Sequence, residues 1–136
     1  MTLNMLTELL AGVTLADNVP ALPLWSPAKN LPPELLEGDN LSLFLSLQLN
    51  VLDESLTQIR AWYDAPHLSL REALHKLRGG IQLLDIPPLE AACETQEAAP
   101  APEGLRRLEA ELVLLRATLQ HWFEGAQLSQ ATDYRN

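Results

Sequence analysis

Six apolar residues near the C-terminus, Leu105, Leu108, Leu112, Leu115, Leu119 and Trp122, recur at alternating spacings of three and four. An α-helix turns once in about 3.6 residues, so this stripe falls on one face. Such a coiled-coil-like seam must be buried against partner helices. The spacing predicts a helix over 103–124, stopped at Gly125 by the common C-terminal glycine, with a polar, frayed tail over 126–136. A second stripe, Leu45, Leu49, Leu52, Leu56, Ile59 and Tyr63, predicts a helix over 40–63, with Asp39 or Asn40 as its cap. Its start carries a conflict, because Leu41, Leu43, Leu45, Leu47, Leu49 and Val51 alternate as a strand would. The longer helical pattern and the scarcity of β-branched residues decide for helix. Asp64-Ala65-Pro66 breaks it.

Two shorter helices lie between the long ones. Ser69 with Glu72 three residues later forms a capping-box pattern. Behind it Leu70, Leu74, Leu77, Ile81 and Leu84 share a face. Pro87-Pro88 stops that helix and suits the first turn of the next, 87–98, which carries Leu89, Ala92 and Cys93 inward. Ala99-Pro100-Ala101-Pro102 is a turn. Upstream, Pro20, Pro23, Pro27, Pro32 and Pro33 crowd the chain and resist helix formation, so 18–33 reads as an extended segment. Leu3, Leu6, Leu9 and Leu10 keep helical spacing and suggest a short helix over 2–11, ended at Gly12. The expectation is an all-α, antiparallel four-helix bundle over 34–125, with an N-terminal extension at 1–33 and a polar tail at 126–136.

Charge narrows the function classes. The 136 residues carry 9 Lys+Arg against 18 Asp+Glu, a formal charge of −9. That balance argues against general nucleic-acid binding and against a polybasic membrane anchor. One cysteine, Cys93, makes neither an internal disulfide nor a cysteine zinc site, which suits a reducing cytoplasm. No apolar run is long enough for a transmembrane helix, and no basic flank marks a signal peptide. There is no phosphate-binding glycine loop, so ATP-dependent kinase chemistry is not expected of this chain. No His or carboxylate pair has a convincing metal-ligand spacing, a Ser-His-Asp site cannot be assembled from sequence spacing, and no nucleophile-elbow glycine pattern occurs.

The informative run is Leu74-His75-Lys76-Leu77-Arg78-Gly79-Gly80-Ile81-Gln82. With the leucine stripe facing the core, Arg71, His75, Arg78, Gly79 and Gln82 lie on the opposite side. His75 then points to solvent beside a residue with no side chain. Glycine inside a helix costs roughly 1 kcal/mol relative to alanine, and two in a row ask for a compensation. One compensation is access, a large partner approaching His75 over Gly79. The other reading makes Gly79-Gly80 a helix end, with the cations favoured by the helix dipole. Arg71, Lys76 and Arg78 are three of nine cationic residues, gathered in eight positions around one imidazole. A small basic island of this kind suits a phosphoryl group or an acidic partner pocket. His67, beside a turn, and His121, beside the last seam, carry no comparable setting.

The run His75-Lys76-Leu77-Arg78-Gly79-Gly80 resembles the signature of histidine phosphotransfer (HPt) domains, H-x-[LI]-[KR]-G-[GSA]. Downstream, Leu89, Cys93 and Glu97 fall where that family places a leucine, a small residue and a polar one. Leu35-Leu36-Glu37-Gly38-Asp39 is similar to its lead-in, and the resemblance spans about 34–123. Leu74 stands where alanine is frequent, Asp85 where many members have glycine, and Arg78 where lysine is commoner. The Ile86-Pro87 junction is similar to HPt domains at the C-termini of BarA/GacS-type hybrid sensor kinases. The resemblance implies a phosphoryl carrier rather than a kinase. His75 would accept a phosphoryl group from a receiver-domain aspartate and pass it to another receiver. Imidazole ordinarily titrates near 6.5, so a neutral nucleophile is available at pH 7. The receivers of a hybrid sensor kinase and of a downstream regulator would be the partners, and Mg²⁺ would sit in the receiver, not on this chain. Arg78 would neutralise phosphate oxygens, Arg71 and Lys76 would dock, Gly79 would give clearance and Gln82 would line the rim. A cytoplasmic monomer with no direct membrane contact is expected, standing alone or as the cytoplasmic part of a membrane-bound kinase. Two other readings stand beside it: a non-catalytic docking module, and a self-associating helical one.

Overall fold

The computed structural model describes residues 25–135, with side chains through 129. Among them every regular element is helical. The order is α1 (Pro27–Asn30), a 3-10 turn (Pro33–Leu36), α2 (Asn40–Asp64), α3 (Arg71–Leu84), α4 (Pro87–Ala98) and α5 (Pro102–Arg135). The helix expected over 2–11 lies outside the described residues. No described helix is long and apolar enough to cross a membrane.

In α2 the helical period prevails over the alternating one. Leu45, Leu49, Leu52, Leu56 and Ile59 are buried. Leu43 and Leu47, which only the alternating pattern would have placed inside, are 61% and 57% exposed. Asp39 takes the cap position without a capping side-chain bond. The entry is fixed instead by Ser42 Oγ donating to Asp39 O at 3.2 Å and Asn40 Nδ2 donating to Glu34 O at 3.0 Å.

α3 starts later than the Ser69–Glu72 pattern suggests. Leu70, buried, occupies the cap position, and Ser69 Oγ accepts the Arg71 N–H at 3.3 Å. Burying the leucine outweighs completing the box. The helix then runs through Gly79 and Gly80 to Leu84, which overturns the reading of the glycine pair as a helix end. The stop comes at Asp85, in left-handed conformation (φ 62°), whose N–H donates to Gln82 O at 3.1 Å. α4 matches its expected span, with Pro87 in the first turn.

α5 corrects the sequence reading at its end. It passes Gly125 without breaking and continues to Arg135, where a frayed tail was expected. The residues after Gly125 include Ala126, Gln127 and Leu128, good helix formers with no proline among them, so one glycine does not terminate the helix.

α2 packs against α5 and α3, α3 against α4, and α4 against α5, so the four helices close a ring around one leucine core. The α2–α5 pair is antiparallel, with Arg60 bonded to Glu109 and Arg116 to Asp53. Gln96, buried in α4, accepts the Ala101 N–H at 2.9 Å and ties the α4–α5 turn. The expected extended segment also needs correction over its described part. Trp25 and Leu31 belong to the core, and α1 lies between them. The Trp25 indole Nε1 donates to Leu84 O at 2.7 Å, and Asn30 Nδ2 donates to Asp85 O at 3.4 Å. These contacts satisfy carbonyls that the end of α3 leaves without helical partners. Packing therefore continues across the 33/34 boundary.

Candidate functional site

His75 sits in the middle of α3 with its side chain 68% exposed, as the stripe predicts. Its neighbour one turn on, Gly79, has open space where a Cβ would stand. Gly80 faces the other way, where a Cβ would approach Gln48 Oε1 of α2 at 2.7 Å. The two glycines thus have different reasons. Gly80 lets α2 and α3 approach, while no packing requires Gly79.

The imidazole is held from α4. His75 Nδ1 lies 3.0 Å from Glu97 Oε1 and 3.2 Å from Arg78 Nη2. With its proton on Nδ1 the ring donates to the carboxylate, the nearer and charge-assisted partner. The other tautomer would set a lone pair against that carboxylate. The Arg78 guanidinium, which can only donate, would favour a bare Nδ1, but the shorter Glu97 contact is the one that takes the Nδ1 proton, leaving the lone pair on Nε2, which has no hydrogen-bond partner among the described residues. Glu97 also pairs with Arg78 (Nε to Oε2, 3.1 Å), and Arg78 Nη1 lies 3.7 Å from Glu94 Oε2.

The fold changes the meaning of the basic island. Ser69, Arg71, Glu72, His75, Arg78 and Glu97 line one shallow cleft. Arg78 is 29% exposed and tied to two carboxylates, whereas Arg71 makes no ion pair with a described residue. Lys76 turns away from this cleft into the groove between α2 and α3, 3.3 Å from Glu54. Gln82 is exposed two turns beyond His75 and does not reach the imidazole. So Arg71, His75, Arg78 and Gly79 form one face, with Lys76 and Gln82 at its margins. A run that is cationic along the chain is an ion-pair network in space.

Glu97 is the residue that sequence periodicity did not assign to the site. The signal was there: Glu97 and His75 are equidistant from Ile86 along the chain, as are Glu94 and Arg78. A tight helical hairpin centred on Ile86 brings such pairs together. Cys93, one turn before Glu97, is buried, and burial first, then the Glu111 charge, pushes its thiol up to about 12. It offers no nucleophile to this face. Among the described residues no group of three or more His, Cys, Asp or Glu is arranged to hold a metal ion.

Beyond Gly79 the face turns apolar. Leu83, one further turn along α3, is 61% exposed. On α2, Leu43 and Leu47 are likewise exposed. Comparison with family models, curated proteins and solved structures finds no match to this chain.

Proposed function

We propose that this chain is a histidine phosphotransfer module with an antiparallel four-helix bundle, carrying a phosphoryl group on His75. The observation that carries the reading is the pairing of an exposed mid-helix imidazole, held at Nδ1 by Glu97, with the empty space over Gly79. In the forward step the Nε2 lone pair attacks the phosphorus of a receiver's aspartyl phosphate. The N–P bond forms as the aspartate O–P bond breaks, and the carboxylate leaves with the electron pair. Nδ1–H stays on Glu97, which offsets the positive charge of the phosphoimidazole. Positioning and charge compensation do most of the work in such a transfer. Arg78 would exchange Glu94 and Glu97 for phosphate oxygens, and Arg71 is already open to them. Mg²⁺ belongs to the receiver's acidic pocket. Leu83, Leu43 and Leu47 would meet the apolar surface around that pocket. Receivers of a hybrid sensor kinase and of a downstream regulator, in the cytoplasm, are the partners this reading names.

The test is incubation with a phosphorylated receiver and Mg²⁺, followed by assay of acid-labile, base-stable phosphate on the chain. Transfer to wild type and none to His75→Ala is expected. No transfer to wild type, or unchanged transfer to His75→Ala, overturns the proposal. Gly79→Gln should stay folded and lose receiver binding; normal transfer by that variant removes the clearance argument.

One observation favours a second reading. Glu94 and Glu97 stand close to where a phosphoryl dianion would sit and already hold Arg78. A docking module that binds a receiver without accepting phosphate would keep such carboxylates. It would retain receiver binding in His75→Ala and show no phosphate on either protein.

A further inference from the structure

Gln96 and Glu97 are neighbours in the last turn of α4. Glu97 meets His75 of α3, its Oε1 3.0 Å from Nδ1. Gln96 is buried and turned to the α4–α5 connection, where its Oε1 accepts the Ala101 N–H at 2.9 Å. Successive residues of a helix point about 100° apart, so fixing the direction of Gln96 also fixes that of Glu97. In Pro100-Ala101-Pro102 only Ala101 has an N–H, and Gln96 takes it. Ala101 O in turn accepts the Leu105 N–H at 2.8 Å, where α5 begins. One amide thus joins the end of α4 to the start of α5.

Gly104 leaves room for that amide. It stands in the first turn of α5, although glycine is a poor helix former. A Cβ there would overlap Gln96 Nε2 and stand 2.8 Å from Cδ and 3.1 Å from Oε1. The flexible side chain would swing aside, and in doing so would release the Ala101 N–H. Gly125, in the same helix, has open space at its Cβ position.

We propose that Gln96 and Gly104 are positioning residues for the His75 site, locking the last turn of α4 so that Glu97 stays on His75 Nδ1. The hydrogen-bond partners of the imidazole among the described residues are Glu97 and Arg78, so both act through Glu97. The α4–α5 turn thereby becomes part of the site. On the phosphotransfer reading the lock keeps the lone pair on Nε2, the atom that takes the phosphoryl group.

The test is two-bond proton–nitrogen correlation of the His75 ring in the full chain at about pH 8, where an ordinary imidazole is neutral and its nitrogen shifts report which atom carries the proton. Glu97→Ala sets the scale and should move the ring from Nδ1–H towards Nε2–H. Gly104→Ala should give most of that displacement and Gly125→Ala none. Gly104→Ala/Gln96→Ala has room for the new methyl group but lacks the amide. It keeps the test clear of a folding failure and should show the same displacement. Wild-type ring signals in Gly104→Ala or in the double variant overturn the proposal, as does equal displacement in Gly125→Ala or none in Glu97→Ala. Displaced signals in these variants with no phosphate accepted by any chain, wild type included, keep the lock and remove the phosphotransfer reading. Phosphate acceptance with wild-type ring signals in every variant does the reverse.

Discussion

The two ring nitrogens of His75 have different surroundings, and on the phosphotransfer reading that difference decides which of them reacts. Nδ1 lies 3.0 Å from Glu97 of the neighbouring helix, while Nε2 has no hydrogen-bond partner among the described residues and Gly79, one turn on, leaves open space. On the phosphotransfer reading Glu97 would act through His75 as a positioning residue. A hydrogen bond to a charged group is worth about 1.5–3 kcal/mol, so on that reading Glu97→Ala should slow phosphoryl acceptance on the order of tenfold or more. Glu97→Gln, whose amide oxygen still accepts from Nδ1–H, should recover most of that rate. Loss in both variants alike would mean that the carboxylate supports the fold rather than the tautomer. At Cys93 the isolation of the thiol has a consequence for stability. Its pKa is raised from 9.0 to about 12, so folded and unfolded thiols are both protonated below pH 9 and its contribution is complete there. As pH rises towards 12 the unfolded thiol ionises first and that contribution is lost. Denaturant unfolding should lose about 2–3 kcal/mol between pH 9 and pH 11, and Cys93→Ala should flatten that slope. His75, its exposure and its empty neighbour were legible in the sequence because one helical stripe places them. The carboxylates that tie Arg78 were not, because linear spacing does not report what a helix across a turn brings near.

Within single elements, the departures from simple sequence rules are informative. Asp85 adopts the left-handed conformation that makes glycine favourable. A side chain costs about 1 kcal/mol there, partly offset because glycine also has more freedom to lose on folding. Asp85→Gly should therefore stabilise the chain by about 0.5–1 kcal/mol, read from the denaturation midpoint at unchanged slope. A destabilised variant would mean that the aspartate side chain makes the turn. The alternating leucines at the start of α2 carried a related signal. A helix cannot bury all of them, and the surplus, Leu43 and Leu47, stands exposed on its outer face. What reads as ambiguity between strand and helix is surface set aside on a helix. Gly125 departs from the stop rule in the opposite sense, because with no proline after it favourable residues on both sides carry the helix through the glycine.

For the whole molecule, the ring of four helices follows from stripes that each need a partner, and the sequence makes that legible. The part played by the proline-rich segment was not, because prolines announce the absence of regular structure without saying where the chain between them packs. Trp25 is 3% exposed and its indole N–H satisfies the last carbonyl of α3, so the segment before the four long elements is part of what holds them. Removing a buried aromatic of this kind costs about 3–5 kcal/mol. Trp25→Ala should shift thermal unfolding down by many degrees, whereas a tether lying loosely on the surface would change stability by less than about 0.5 kcal/mol. Trp25→Phe separates the two contributions. It keeps most of the apolar volume but leaves Leu84 O without its donor, an expected cost of about 1–2 kcal/mol. If Phe performs as well as Trp, the indole acts by filling space alone. If Phe falls near Ala, the hydrogen bond to the end of α3 is what couples this segment to the helix that presents His75. Loosening it would then also raise amide exchange in the last turn of α3 before the rest of the core responds.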